Sequence, residues 1–229
     1  AEADGETFEK SFYLNVSGIT GGGIDDSEFD YDVYNNAFTE IGSEIDISSS
    51  ANAEITDERL SVKPVDQTSS ASAEINFTNE DGSFGLTGRA VVEFDASAAG
   101  GSGSYEIRST DGSSMASVAV TDSDYTITTR DNTLTVPYRA NDNLKLRFVF
   151  DTDNDTVQVW HNNIEITGET LRPITSGKNI SSLNMTVSGG TEACATIDNL
   201  RVGIADSSRL QMVYDAFIFD LIKGDNASE

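Results

Sequence analysis

Between Phe12 and Ile204 the chain is a succession of short segments in which apolar and polar residues alternate, separated by clusters of Gly, Ser, Asn and Asp. Period two sends successive side chains to opposite faces of an extended strand, whereas a helix would need apolar positions three and four apart. RLSVKP, ASAEINF, GRAVVEFDA, YEIRS, MASVAV, YTITT and LTVPY all read this way, and they follow one another at roughly 8 to 12 residues, the spacing of an all-β sandwich or barrel. One all-β, two-sheet antiparallel β-sandwich of the jelly-roll type is expected over residues 1–205. The Gly/Ser-rich run at 98–104 reads as a surface loop within it, because strands resume at once.

The most informative pair of segments is NLKLRFVF and VQVWHNN around the acidic turn DTDNDT. A symmetric turn sets Phe150 opposite Val157 and Phe148 opposite Val159, giving one apolar face. Arg147 then falls opposite Trp160, with Lys145 and Gln158 beside them on the other face. A sugar ring offers an apolar C–H face to an aromatic ring and a rim of hydroxyls to polar groups. Trp160, Arg147, Lys145 and Gln158 are therefore candidate carbohydrate-binding residues, and Tyr125 and Tyr138 are candidates to extend the platform. The competing structural reading covers this face with another layer and makes Trp160 core. Two cations beside the tryptophan point toward a polysaccharide containing uronic acids.

Charge narrows the partners. With 14 Lys and Arg against 39 Asp and Glu, the formal charge is −25, so the field repels nucleic acid. There is no apolar stretch long enough for a membrane span. Cys194 is the only cysteine and reads as a small buried thiol, and His161 is the only histidine, on the core side of its strand. A single histidine excludes histidine-rich metal sites, and a Ser/His/Asp triad would have to use this core-side His161 with no nucleophile-elbow sequence to go with it. From Asp206 the pattern changes: Leu210, Val213, Tyr214, Phe217 and Leu221 recur at helical spacing, which predicts a helical connector over 206–229 leading to a neighbouring module.

FVFDTDNDTVQVWHNN resembles the strand–turn–strand hairpin of laminin-G-like and concanavalin A-like jelly rolls, and ATIDNLRVG, residues 195–203, resembles their closing strand with its Ile-Asp-Asn step. The resemblance implies a non-catalytic carbohydrate-binding module of a secreted or cell-surface bacterial protein. It also implies a structural calcium held in part by Asp198, with Glu9 and Asp25 as candidate partners. Asp151, Asp153 and Asp155 present carboxylates at alternate positions, as a calcium loop begins, but Thr156 and Asn162 stand where an EF-hand needs Gly and Glu. SEIDIS, residues 43–48, resembles the catalytic strand of laminarinase-like glycoside hydrolases, which makes Glu44 and Asp46 the candidates for a hydrolytic alternative. Ser48 replaces that motif's terminal Glu, and with it one of the two carboxylates a retaining mechanism needs. A structural spacer or adhesin domain is a third reading.

Overall fold

The computed structural model describes residues 2–3, 6–7, 31–77, 85–137, 144–162, 164–166 and 171–204. The expected helical connector, the first predicted strand around Phe12, Leu14 and Val16, and Glu9, Asp25 and Tyr138 lie outside the described residues. Strands β1 (Glu2–Ala3) and β2 (Glu6–Thr7) form a two-residue ladder of their own.

The remaining strands are β3 (Tyr31–Asn36), β4 (Ile45–Ile47), β5 (Ala51–Thr56), β6 (Arg59–Pro64), β7 (Ala71–Asn76), β8 (Arg89–Ala99), β9 (Ser102–Ser109) and β10 (Ser114–Val120). They continue with β11 (Asp124–Thr128), β12 (Thr133–Pro137), β13 (Leu144–Asp151), β14 (Thr156–His161), β15 (Ile164–Glu165), β16 (Ile180–Ser188) and β17 (Cys194–Ile204). One sheet runs β12-β11-β10-β9-β16-β7-β4 and the other β15-β14-β13-β8-β17-β6-β5, with β3 pairing the C-terminal half of β17. Every pairing is antiparallel, so the expected two-sheet sandwich is the architecture.

Alternation decides which side of each strand is buried. Ala90, Val92, Phe94, Ala96 and Ala98 of β8 and Leu144, Leu146, Phe148 and Phe150 of β13 face inward, against Tyr105 and Ile107 of β9 and Leu183, Met185 and Val187 of β16. Phe94 stacks on Phe148 and Phe148 on Phe150, each pair with centroids 6.2 Å apart. The Tyr105 hydroxyl, buried between the sheets, lies 2.6 Å from the carbonyl oxygens of Ser97 and Thr196 and donates its one proton between them. A buried hydroxyl must find such an acceptor, and this one also joins the two layers.

The chain passes from the middle of one sheet to the middle of the other at β8–β9. The expected loop over 98–104 is shorter than its composition suggests: Ala98 and Ala99 belong to β8 and Ser102 to Ser104 to β9, leaving Gly100 and Gly101 as the connection. Gly100 has φ +69°, and a Cβ on Gly101 would lie 2.3 Å from the Ser188 carbonyl oxygen. The glycines serve close approach to the β16–β17 turn, not flexibility. β17 carries a bulge between Asp198 and Arg201, with Asn199 at φ 50°, so β6 pairs before it and β3 after it. The Ile-Asp-Asn step is thus the place where one strand changes neighbours.

Candidate functional site

The β13–β14 hairpin has the predicted register: Arg147 opposite Trp160, Phe148 opposite Val159, Phe150 opposite Val157. On its outward side a row crosses five strands: Glu165, Trp160, Arg147, Glu93, Arg201. Trp160 is only 6 % exposed and packs with Val91 and Val149 in a small apolar cluster apart from the main core. Arg147 is 3 % exposed and donates through Nε and Nη2 to one carboxylate oxygen of Glu93, while Lys145 Nζ stands 3.2 Å from the other. Both cations that suggested a uronate ligand are therefore spent on one internal carboxylate. Gln158 shares this side and is half-buried.

Tyr125 does not extend that platform. It lies on β11 of the other sheet with its ring wholly buried in the core, and its hydroxyl is 2.6 Å from His161 Nδ1. His161 is on the core side, as expected, where burial lowers its pKa and raises that of Tyr125. Cys194 is half-buried, not fully buried, because it points outward between the inward Ala193 and Ala195. Burial still pushes its thiol up.

Among the described residues, the expected calcium ligands do not converge. Asp151 accepts the backbone amides of Asp153 and Asn154 and the Asn154 side chain, at 3.1, 2.9 and 2.6 Å. Burial raises its pKa, but these bonds outweigh burial and hold the carboxyl below its usual range. Asp155 turns to the Gly177 amide and to Arg130, and Asp198 to the Asn199 amide and to Arg59. Among the described residues no three His, Cys, Asp or Glu side chains gather into a metal site. The acidic run caps its own hairpin turn, as Asp residues in turns commonly do.

The outward face of the seven-stranded sheet is built differently. Its register aligns Ser117, Glu106, Asn184, Glu74 and Asp46 on β10, β9, β16, β7 and β4 in one row, with Arg108, Ser182 and Asn76 in the next. At about 4.8 Å per strand the row spans about 14 Å from Glu106 to Asp46. Arg108 ties it together: Nε and Nη2 donate to Glu106 Oε2 at 2.7 and 2.6 Å, and Nη1 stands 3.3 Å from Glu74 Oε2. The Ser182 hydroxyl donates to Glu74 Oε1 at 2.7 Å, and Asn76 Nδ2 lies 3.3 Å from Asp46 Oδ2. Beyond the charged end the face is a carpet of hydroxyls, among them Ser72, Ser104, Thr126, Thr135 and Thr186.

Of the residues named from sequence, Asp46 alone belongs to this row. Glu44 does not act with it: Tyr34 Oη donates to its carboxylate at 3.1 Å, beside Asn36, and burial raises the Tyr34 pKa. Ser48, the third position of that motif, accepts the Ser72 amide through Oγ at 3.0 Å. A hydrolytic pair needs the scissile bond between its carboxyls, and Arg108 fills that space between Glu74 and Glu106. Glu74, Glu106, Arg108, Ser182 and Asn184 were visible in the sequence only as outward positions of separate strands. A sugar is held by just such fixed acceptors and donors on a rigid sheet.

No protein-family model and no curated protein matches this sequence. Solved structures do share its fold. A sialidase aligns with TM-score 0.58 and 15% identity over 71% of this chain and 17% of its own, so the chain spans a small part of that protein's length. The Emp47p carbohydrate recognition domain aligns with TM-score 0.53 and 11% identity over 80% of this chain and 100% of its own. A protein of unknown function with a galectin-like fold from Bacillus subtilis aligns with TM-score 0.51 and 9% identity over 77% and 97%. The chain shares with these structures a two-sheet antiparallel jelly-roll fold.

Proposed function

We propose that this chain is a non-catalytic carbohydrate-binding module of a secreted or cell-surface protein, and that the outward face of its seven-stranded sheet seats a polysaccharide. The observation that carries this reading is the Glu106–Arg108–Glu74 array with Asn184 at its centre, partly exposed and preorganised by its own ion pairs and hydrogen bonds. The lectin-like fold supports it by analogy of architecture. Arg108 between the two carboxylates favours binding over hydrolysis.

Affinity electrophoresis against neutral, amino and uronic-acid polysaccharides, with calcium and with chelator, tests the proposal, followed by a reducing-sugar assay on each retained glycan. Asn184→Ala and Glu74→Gln are expected to weaken retention about tenfold, a loss typical of one or two charge-assisted or amide hydrogen bonds. Trp160→Phe is expected to leave retention unchanged. Loss of retention in the Trp160 variant with an unaltered melting temperature would move the ligand to the other sheet. New reducing ends would make the chain an enzyme.

A further inference from the structure

Resting on that reading, we infer that the glycan this face takes bears free amino groups. Among the described strand residues pointing outward from the seven-stranded sheet, Asp46, Glu74, Glu106 and Asp124 carry negative charge, and Arg108 carries the single positive one. The Arg108 guanidinium is occupied, with Nε and Nη2 on Glu106 and Nη1 on Glu74. A ligand carboxylate would have to displace a bidentate partner and would then face the remaining acids. The unspent groups are acceptors at the two ends of the row: Glu106 uses only Oε2, and Asp46 only Oδ2, in hydrogen bonds among the described residues.

Between them stands one unspent donor. Asn184 is 8 % exposed, and its Oδ1 takes the Thr186 hydroxyl at 3.0 Å, while its Nδ2 has no hydrogen-bond partner among the described residues. The amide is not sealed from solvent at that nitrogen, so a ligand can reach it from the open face of the sheet. Its free end asks for a ligand acceptor set between two carboxylates. An amino sugar supplies that pattern, because an ammonium has three donors and no acceptor while the adjacent ring oxygens and hydroxyls accept. The long-range field agrees: a formal charge of −25 draws a cationic glycan in and turns a polyuronate away.

Short oligomers separate a site from mere adsorption to an acidic surface. Isothermal titration would compare a glucosamine tetramer, its fully N-acetylated counterpart and a tetramer of uronic acid. The amino tetramer is expected to bind at least about tenfold more tightly than the acetylated one, and to lose about tenfold in affinity between about 50 and 500 mM NaCl. The double variant Asp46→Asn/Glu106→Gln, which removes two charges at the row, is expected to lose about tenfold as well. Asp57→Asn/Glu58→Gln, which removes two charges from the β5–β6 turn, should stay within about twofold of the unchanged protein. Equal losses in both double variants would reduce the effect to net charge and overturn the site. Equal affinity for the acetylated tetramer, or preference for the uronate, would overturn the ligand class while carbohydrate binding stands. Binding of no sugar in any panel would overturn both.

Discussion

Arg147 and Glu93 make the outward face of the eight-stranded sheet an exception to the usual polar exterior. A guanidinium at 3 % exposure is stabilised by Glu93, which takes two of its donors, with Lys145 at the other carboxylate oxygen. Glu93→Gln is therefore expected to lower stability by about 3–5 kcal/mol, because it removes the carboxylate charge that two buried guanidinium donors share, and Glu93→Gln/Arg147→Met should recover most of that loss. Urea midpoints of the single and double variants check it. His161 gives a pH signature at the same scale. Burial depresses its folded pKa, so between that value and the unfolded value near 6.5 the unfolded chain binds more protons than the folded one. Stability should be complete above about pH 7 and fall as pH drops through about 6.5, with His161→Gln flattening that slope in thermal melts. As the only histidine, its ring resonance reports the titration without ambiguity.

At the level of elements, turns carry the strain that strands avoid. The β5–β6 connection has two residues between the closing pair Thr56–Arg59, and both Asp57 (φ 53°) and Glu58 (φ 60°) are left-handed. That is a type I′ hairpin, whose twist suits the flanking strands but whose second position favours glycine. Glu58→Gly is expected to raise stability by about 0.5–1 kcal/mol, relief of the left-handed backbone outweighing the added freedom of the unfolded chain. A higher melting temperature with an unchanged urea m-value is the result to look for. The β13–β14 hairpin was readable to the residue in the sequence because its turn is short and one face is strictly apolar: Phe148 and Phe150 can meet only Val159 and Val157. Its partner across the sheet, β8, was not, since nothing in β13 states which distant strand brings Glu93 beside Arg147.

Over the whole molecule the acidity is a stability term. A formal charge of −25 repels itself at low ionic strength. Raising NaCl from about 10 to 150 mM shortens the Debye length from about 30 to 8 Å and is expected to raise the melting temperature, despite weakening exposed pairs such as Lys63–Glu54. A flat or falling melting curve across that range would show that ion pairing outweighs repulsion. Period two along each segment, turn chemistry and charge were local properties, and from them the sequence by itself determined an all-β sandwich, the inward residues of the β13–β14 hairpin, the Arg147–Trp160 pairing and a net charge that repels nucleic acid. Only the tertiary structure decided which polar side chains share one outward face. Glu106, Asn184, Glu74 and Asp46 sit on β9, β16, β7 and β4, strands that are neighbours in the sheet but far apart in the chain. Alternation states the side of a strand on which a residue lies; which strands stand next to each other is settled by how two sheets bury one common core.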